Sequence, residues 1–264
     1  NNLIQYYHIF SMHRQDLQTN SDTEDSETFN EINANNTEIS DLIKNKRFPE
    51  RLAKEHIKIL PVRSFDGKIH LITKINDVRD AIKTLRKYQV LGFDTETRPV
   101  FRKGVQHDVS LLQLSTSKEA FLFRLNHLGF PDEIIEILED SAILKVGIAI
   151  LDDVRGLQKL SNFKPGGFIE LADIASDLGI VTCGLRNLAA IFLGVRITKK
   201  AQLTNWERPV ISSKQSLYAA TDAWICLKMY IFLEQENLLP INIIWQMPGS
   251  LNDSATGNKN NDKS

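Results

Sequence analysis

The chain has 264 residues, 42% apolar and 25% charged, with a formal net charge of −1. This is the balance of an ordinary soluble globular protein with ample material for a core. No apolar run approaches the roughly 20 residues that span a bilayer, and Asn1–Phe10 lacks the basic start and small-residue cleavage site of a signal peptide.

The charge is unevenly spread. Residues 1–45 carry eight acids against Arg14 and Lys44, a net of −6, which leaves the remainder near +5. A mildly basic body suits a polyanionic partner and equally suits a mixed solvated surface. Cys183 and Cys226, the only cysteines, match no redox or metal spacing. They are read as buried free thiols, consistent with a reducing cytoplasm. The six histidines contain no ligand pair such as HxxxH. Position 1 is not methionine, so either Met12 is the start or residues have been lost or added upstream.

In chain order, residues 1–46 are acidic and rich in Asn, Ser and Thr, and are expected to be disordered. The folded unit is expected over 47–245, followed by a flexible polar tail over 246–264. Within it, Lys68–Thr73 reads as a strand. Asn76–Tyr88 has Val78, Ala81, Ile82 and Leu85 at helical spacing, with Asn76 or Asp77 as N-cap. Val90–Glu96 is an apolar strand ending in two acids. Val109–Leu114 and Ala120–Leu125 read as a hairpin. Asp132–Asp140 is helical, Ile143–Ile150 a buried strand, and Asp152–Leu160 helical again. After a segment at Phe168–Leu171 come helices over 174–178, 185–193 and 213–235. Strands partly in hairpin order, then alternating with helices, predict an α/β protein with a mixed sheet packed by helices. There is no GxGxxG and no GxxxxGK[ST], so neither a dinucleotide site nor a P-loop is supported.

The chemistry-bearing residues are few. Asp94 and Glu96 stand at i and i+2 on one strand and so share a face. Asp153 follows a buried strand at the start of a helix, with Asp152 beside it. Tyr218 and Asp222 stand at i and i+4 on a helix. Each has a plain explanation alone: a D-x-E pair in a solvated loop, a helix-capping aspartate, a Tyr–Asp pair on a helix surface. Taken together, carboxylates from three elements would repel one another unless a cation stood between them. Hard divalent ions take such oxygen ligands.

FDTE, then VGIAILDD, then YAATD resemble the three motifs of the DEDD superfamily of 3′–5′ exonucleases, in its tyrosine-bearing (DEDDy) branch. The flanks Val109–Leu114 and Asn205-Trp206-Glu207-Arg208-Pro209 agree, and the stretch over 67–236 is most similar to RNase D and Werner-type exonuclease domains. The resemblance implies a ribonuclease H-like fold, a mixed sheet flanked by helices. It implies two Mg²⁺ or Mn²⁺ ions, with Asp94, Glu96 and Asp222 holding one. Asp94, and Asp153 through water, would hold the other. The family places its acid seven residues after Val146, which selects Asp153 over Asp152. Tyr218 would orient the attacking water, and Glu96 with the backbone at Thr95 would meet the terminal 3′-hydroxyl. The partner is then DNA or RNA with a free 3′ end, and the product a nucleoside 5′-monophosphate.

Arg98, Arg102, Lys103, Lys199, Lys200 and Arg208 are candidates to steer the phosphate backbone or to be solvated surface charges. Phe101 is a candidate base-stacking residue, and Trp206 is read as framework. RNase D carries helical domains after its catalytic unit, whereas fewer than 30 residues follow the last helix here. Substrate choice is therefore expected from the domain itself, an oligomer or a partner. The rival readings are a non-catalytic nucleic-acid-binding or adaptor protein of the same fold, and a hydrolase of small nucleotides.

Overall fold

The computed structural model describes residues 48–101, 104–199 and 201–240. The expected acidic segment 1–46, the tail 246–264, Arg102, Lys103 and Lys200 lie outside the described residues, as do the extreme ends of the expected folded unit.

The elements run α1 Lys54–Ile59, β1 Lys68–Ile72, α2 Ile75–Leu85, β2 Val90–Thr97, β3 Val109–Ser115, β4 Glu119–Phe123, α3 Leu125–Leu128 and α4 Asp132–Glu139. They continue β5 Leu144–Gly147, α5 Ile150–Gln158, β6 Phe168–Glu170, α6 Leu171–Asp177, α7 Leu185–Leu193 and α8 Ser213–Gln235. The six strands form one sheet in the order β1-β4-β3-β2-β5-β6. β2–β3 and β3–β4 are antiparallel, the hairpin expected from sequence, and the other three pairings are parallel. This is the mixed sheet flanked by helices that the alternating pattern predicts.

Helices cover both faces. Leu91 and Phe93 of β2 pack with α2, α4 and α5, while Val146 and Ile169 pack with α6, α7 and α8. Because side chains alternate along a strand, the even positions of β2 face α8. Gly92 is one of these even positions, and the backbone of α8 passes directly over it. The helix begins at a capping box: the Ser212 hydroxyl accepts from the Gln215 backbone N–H, and the Gln215 side chain accepts from the Ser212 N–H.

Lys145 is a buried cation that serves the fold. Lys145 of β5 donates from Nζ to the carbonyls of Ile137, Asp140 and Ile143 at 3.0, 2.7 and 2.7 Å. The end of α4 would otherwise leave carbonyls without donors. Burial pushes the Lys145 ammonium down to about 7. Three carbonyls around one nitrogen nonetheless match the three donors of the charged form.

The structure departs from the sequence reading at several element boundaries and in two unexpected helices. The strand expected over Ile143–Ile150 ends at Gly147, because Ala149 takes a left-handed conformation (φ 62°) and turns the chain into α5. α5 consequently starts at Ile150 rather than Asp152. α2 is capped by neither Asn76 nor Asp77. Its N-cap is Lys74, and Asp77 falls in the first turn, where a negative charge complements the helix dipole. α1 and α3 were not expected. α1 is held by the bridge between Val62 and Arg196, with Arg196 N–H donating to Pro61 O (3.0 Å) and Arg63 N–H donating to Arg196 O (2.9 Å).

Candidate active site

β2 brings Asp94 and Glu96 to the α8 face of the sheet, and α8 brings Asp222 down to meet them. One carboxylate oxygen from each of the three can be chosen so that all lie within 4.8 Å of one another. Immediately after Glu96 the β2–β3 register shifts by a bulge, so the pair occupies the last regular stretch of the strand.

Asp153 reaches the site from the opposite face. Thr95, the odd residue between the two acids, donates its hydroxyl to Asp153 Oδ1 at 2.5 Å. Asp152 points outward beside Arg155, its side chain 90% exposed. Of the two adjacent aspartates, Asp153 is therefore the one turned toward Asp94. The four acids divide as three plus one, with the backbone at Thr95 between the sets.

Burial dominates the electrostatics. It raises Asp94 well above the usual carboxylate range, and the charge of Asp222 adds to this. Glu96 is pushed up to about 10 by burial and then by Asp94, Asp222 and Asp153. Asp153 is raised by burial and by Asp94. Asp222 rises to about 7 through burial, held back by a hydrogen bond from Tyr218 and by the charge of Arg186. Asp222 Oδ1 is buried and has no hydrogen-bond partner among the described residues. Clustered, dehydrated carboxylates with an unsatisfied oxygen are what a hard divalent cation would stabilise, so these residues fit such an ion.

Tyr218 stands one helical turn before Asp222, half-buried, with its ring tilted on Trp206 at 6.2 Å between centroids. Burial and the neighbouring acids raise its phenol above the ordinary value. Trp206 is fully buried, the framework position expected from sequence. Its segment is fastened by Arg124, which donates to the carbonyls of Trp206 (3.5 Å) and Arg208 (2.6 Å).

The acids open into a cleft of about 730 Å³. Lys199, a candidate either to steer phosphate or to be a solvated surface charge, lines it, together with Arg186 and Arg196, which sequence reasoning did not single out. Lys54 and Lys58 of α1 line it too. Their i,i+4 spacing was visible, but in a segment with no other helical signal. Arg98 is drawn away, forming an ion pair with Glu207 at 3.0 Å, and Glu207 also meets His107 at 2.9 Å. Phe101 is 80% exposed. Glu170 was missed altogether. Its carboxylate accepts from the N–H groups of Ile150 (2.8 Å) and Ala172 (3.1 Å), capping α5 and α6 at once.

A family model described as 3′–5′ exonuclease matches residues 69–237. The chain belongs to the 3′–5′ exonuclease family. Among family relatives, it is 30% identical over 206 residues to the mouse bifunctional 3′–5′ exonuclease/ATP-dependent helicase WRN, covering 74% of this chain but only 14% of that protein. The described fold is similar to the crystal structure of the Aedes aegypti Nibbler EXO domain, with TM-score 0.61, 20% identity, and coverage of 66% of this chain and 92% of that one. It is similar also to Escherichia coli RNase D, with TM-score 0.58, 22% identity, and coverage of 66% and 47%. These neighbours have the ribonuclease H-like exonuclease fold implied by the motifs.

Proposed function

We propose that this chain is a metal-dependent 3′–5′ exonuclease that releases nucleoside 5′-monophosphates from the 3′ end of a nucleic-acid strand. The observation that carries the reading is the meeting of Asp94, Glu96 and Asp222, brought by β2 and α8, at the floor of a cleft whose other walls bear cations. Family membership supports the class of reaction.

Asp94, Glu96 and Asp222 would hold one divalent ion, and Asp94 and Asp153 a second. Bound there, Mg²⁺ or Mn²⁺ would supply Lewis acidity to the phosphodiester and lower the pKa of water. In the net reaction a water oxygen bonds to phosphorus, the bond to the preceding 3′-oxygen breaks, and that oxygen ends protonated. Without metal, burial and the neighbouring acids raise the Tyr218 phenol, which favours a part for it in positioning the water over one in accepting a proton. Thr95 fixes the Asp153 carboxylate through its hydroxyl. Glu96 and the backbone at Thr95 would meet the terminal 3′-hydroxyl, which would make attack begin at an end. Arg186, facing Asp222 across the cleft, can balance the charge of an incoming phosphate.

The test is incubation of the purified protein with 5′-labelled DNA and RNA oligonucleotides of matched sequence, with Mg²⁺, Mn²⁺ or chelator. Stepwise 3′ shortening with release of 5′-monophosphates, lost on chelation, is expected. Binding without shortening would leave the adaptor reading standing. The DNA and RNA arms decide which polymer is preferred, since both present the same phosphodiester and 3′-hydroxyl to the acids.

A further inference from the structure

We infer that α1 is a clamp for the substrate strand, with Lys54 and Lys58 holding phosphates upstream of the 3′ end and Ile57 lying between them against the sugar or base faces. This rests on the exonuclease reading above and adds to it a binding element outside the stretch that the family model matches, residues 69–237.

Core packing does not explain α1. None of its six residues is buried, so it contributes little to the hydrophobic interior. Yet its position is fixed. The segment that follows it is bridged to Arg196 through backbone hydrogen bonds on both sides. Arg196 also donates from Nε to Leu60 O at 3.0 Å. An exposed helix tied down this firmly is held for the surface it presents.

That surface is selective. Lys54, Ile57 and Lys58 stand at i, i+3 and i+4, one face of a helix, and these three line the cleft that holds Asp94, Glu96 and Asp222. Glu55, the only acid of α1, is not among the residues lining it. Neither lysine forms an ion pair with a described carboxylate, so both ammonium groups are available to a polyanion. With Arg196 and Lys199 they make a basic wall from two segments distant in sequence. Lysines are flexible point charges that follow a backbone without reading bases. A positively charged groove that tracks the backbone is the chemistry that grips single strands irrespective of sequence, and Ile57 adds apolar surface between the two lysines.

The experiment is the Lys54→Glu/Lys58→Glu double variant of the full chain, with Lys54→Gln/Lys58→Gln as a milder pair. Binding of a fluorescent single-stranded 12-mer is measured against salt in chelator, and hydrolysis of the 12-mer and of a dinucleotide in Mg²⁺. Each single-strand phosphate contact contributes about 0.7 to the slope of log affinity against log salt, so loss of two should lower the slope by about 1.4 and weaken binding roughly tenfold or more. KM for the 12-mer should rise by a comparable factor while kcat stays within about twofold, because the chemistry at the acids is untouched. The glutamine pair should show the same pattern to a smaller degree. A double variant with the parental affinity and salt slope overturns the clamp, as does an equal penalty on dinucleotide and 12-mer. If the unsubstituted chain shortens no oligonucleotide but still binds the 12-mer through Lys54 and Lys58, the exonuclease reading fails and the clamp stands.

Discussion

A Cβ placed on Gly92 would lie 2.0 Å from the carbonyl oxygen of Ala223. Gly92 is two residues before Asp94 on the same face of β2, and Ala223 follows Asp222 on α8. The absence of a side chain at this one position therefore sets how closely the strand acids and the helix acid approach.

Gly92→Ala should displace α8 and separate Asp222 from Asp94 and Glu96. Overpacking of this kind costs about 1–3 kcal/mol, and the obstacle here is backbone, which cannot move aside by changing rotamer. Both thermal stability and cleavage should fall. Ala223→Gly should not rescue either, since the clash is with a main-chain oxygen.

Asp94→Asn and Asp222→Asn should each cut turnover by about 10³-fold, the equivalent of the several kcal/mol that a correctly held metal supplies. The same substitutions should leave the melting temperature of the chelator-treated protein unchanged or raise it, because each removes one member of a buried set of like charges. A variant that both unfolds and loses activity would instead assign the carboxylate to the framework.

Without metal, stability should depend on pH through the same acids. Asp222 is pushed up to about 7 and Glu96 to about 10, above the values an unfolded chain would show. The folded state then holds more protons than the unfolded one, so their contribution is fully present below about pH 4 and lost as pH rises toward 7 and beyond. Denaturant melts in chelator across this window should show declining stability. Saturating Mg²⁺ or Mn²⁺ should flatten the decline, because ligation favours the deprotonated carboxylates.

Tyr218→Phe should lower kcat by about 10²-fold with KM little changed, the scale expected for loss of one positioned polar group in the transition state. The fold should be unaffected, as the phenyl ring still packs on Trp206. Circular dichroism and single-turnover kinetics together check both halves.

Lys145→Met should destabilise the protein without touching the chemistry. Three carbonyls lose their donor, and the two at buried contacts, those of Ile137 and Ile143, are each worth about 1–3 kcal/mol when unsatisfied, partly offset by no longer burying a cation. Urea unfolding should report the loss, while cleavage per folded molecule should match the parent.

Much of this was legible in the sequence, for identifiable reasons. α7 and α8 run from Leu185 to Leu193 and from Ser213 to Gln235, as the periodicity indicates, because Gly184 and Gly194 flank the first and the Ser212–Gln215 capping box starts the second. Asp94 and Glu96 share a face because strand alternation admits no alternative. What escaped reading depends on contacts remote in sequence or on unusual local geometry. α1 buries nothing and so leaves no apolar period. Ala149 adopts a conformation that alanine rarely takes, which hid the early start of α5. Glu170 caps a helix whose first N–H lies 20 residues upstream. Arg98 is engaged by Glu207, 109 residues away.

The bulge after Glu96 also determines where this domain can change length. A residue gained or lost between Gly92 and Glu96 would invert the strand's facing, sending carboxylates into the layer of Phe93 and turning the Thr95 side chain away from Asp153. Beyond Glu96 the ladder has already slipped, so the register of Asp94 and Glu96 is set before the chain enters the connection to β3. That connection is the natural place to graft a peptide or shorten the chain while the acids keep their register.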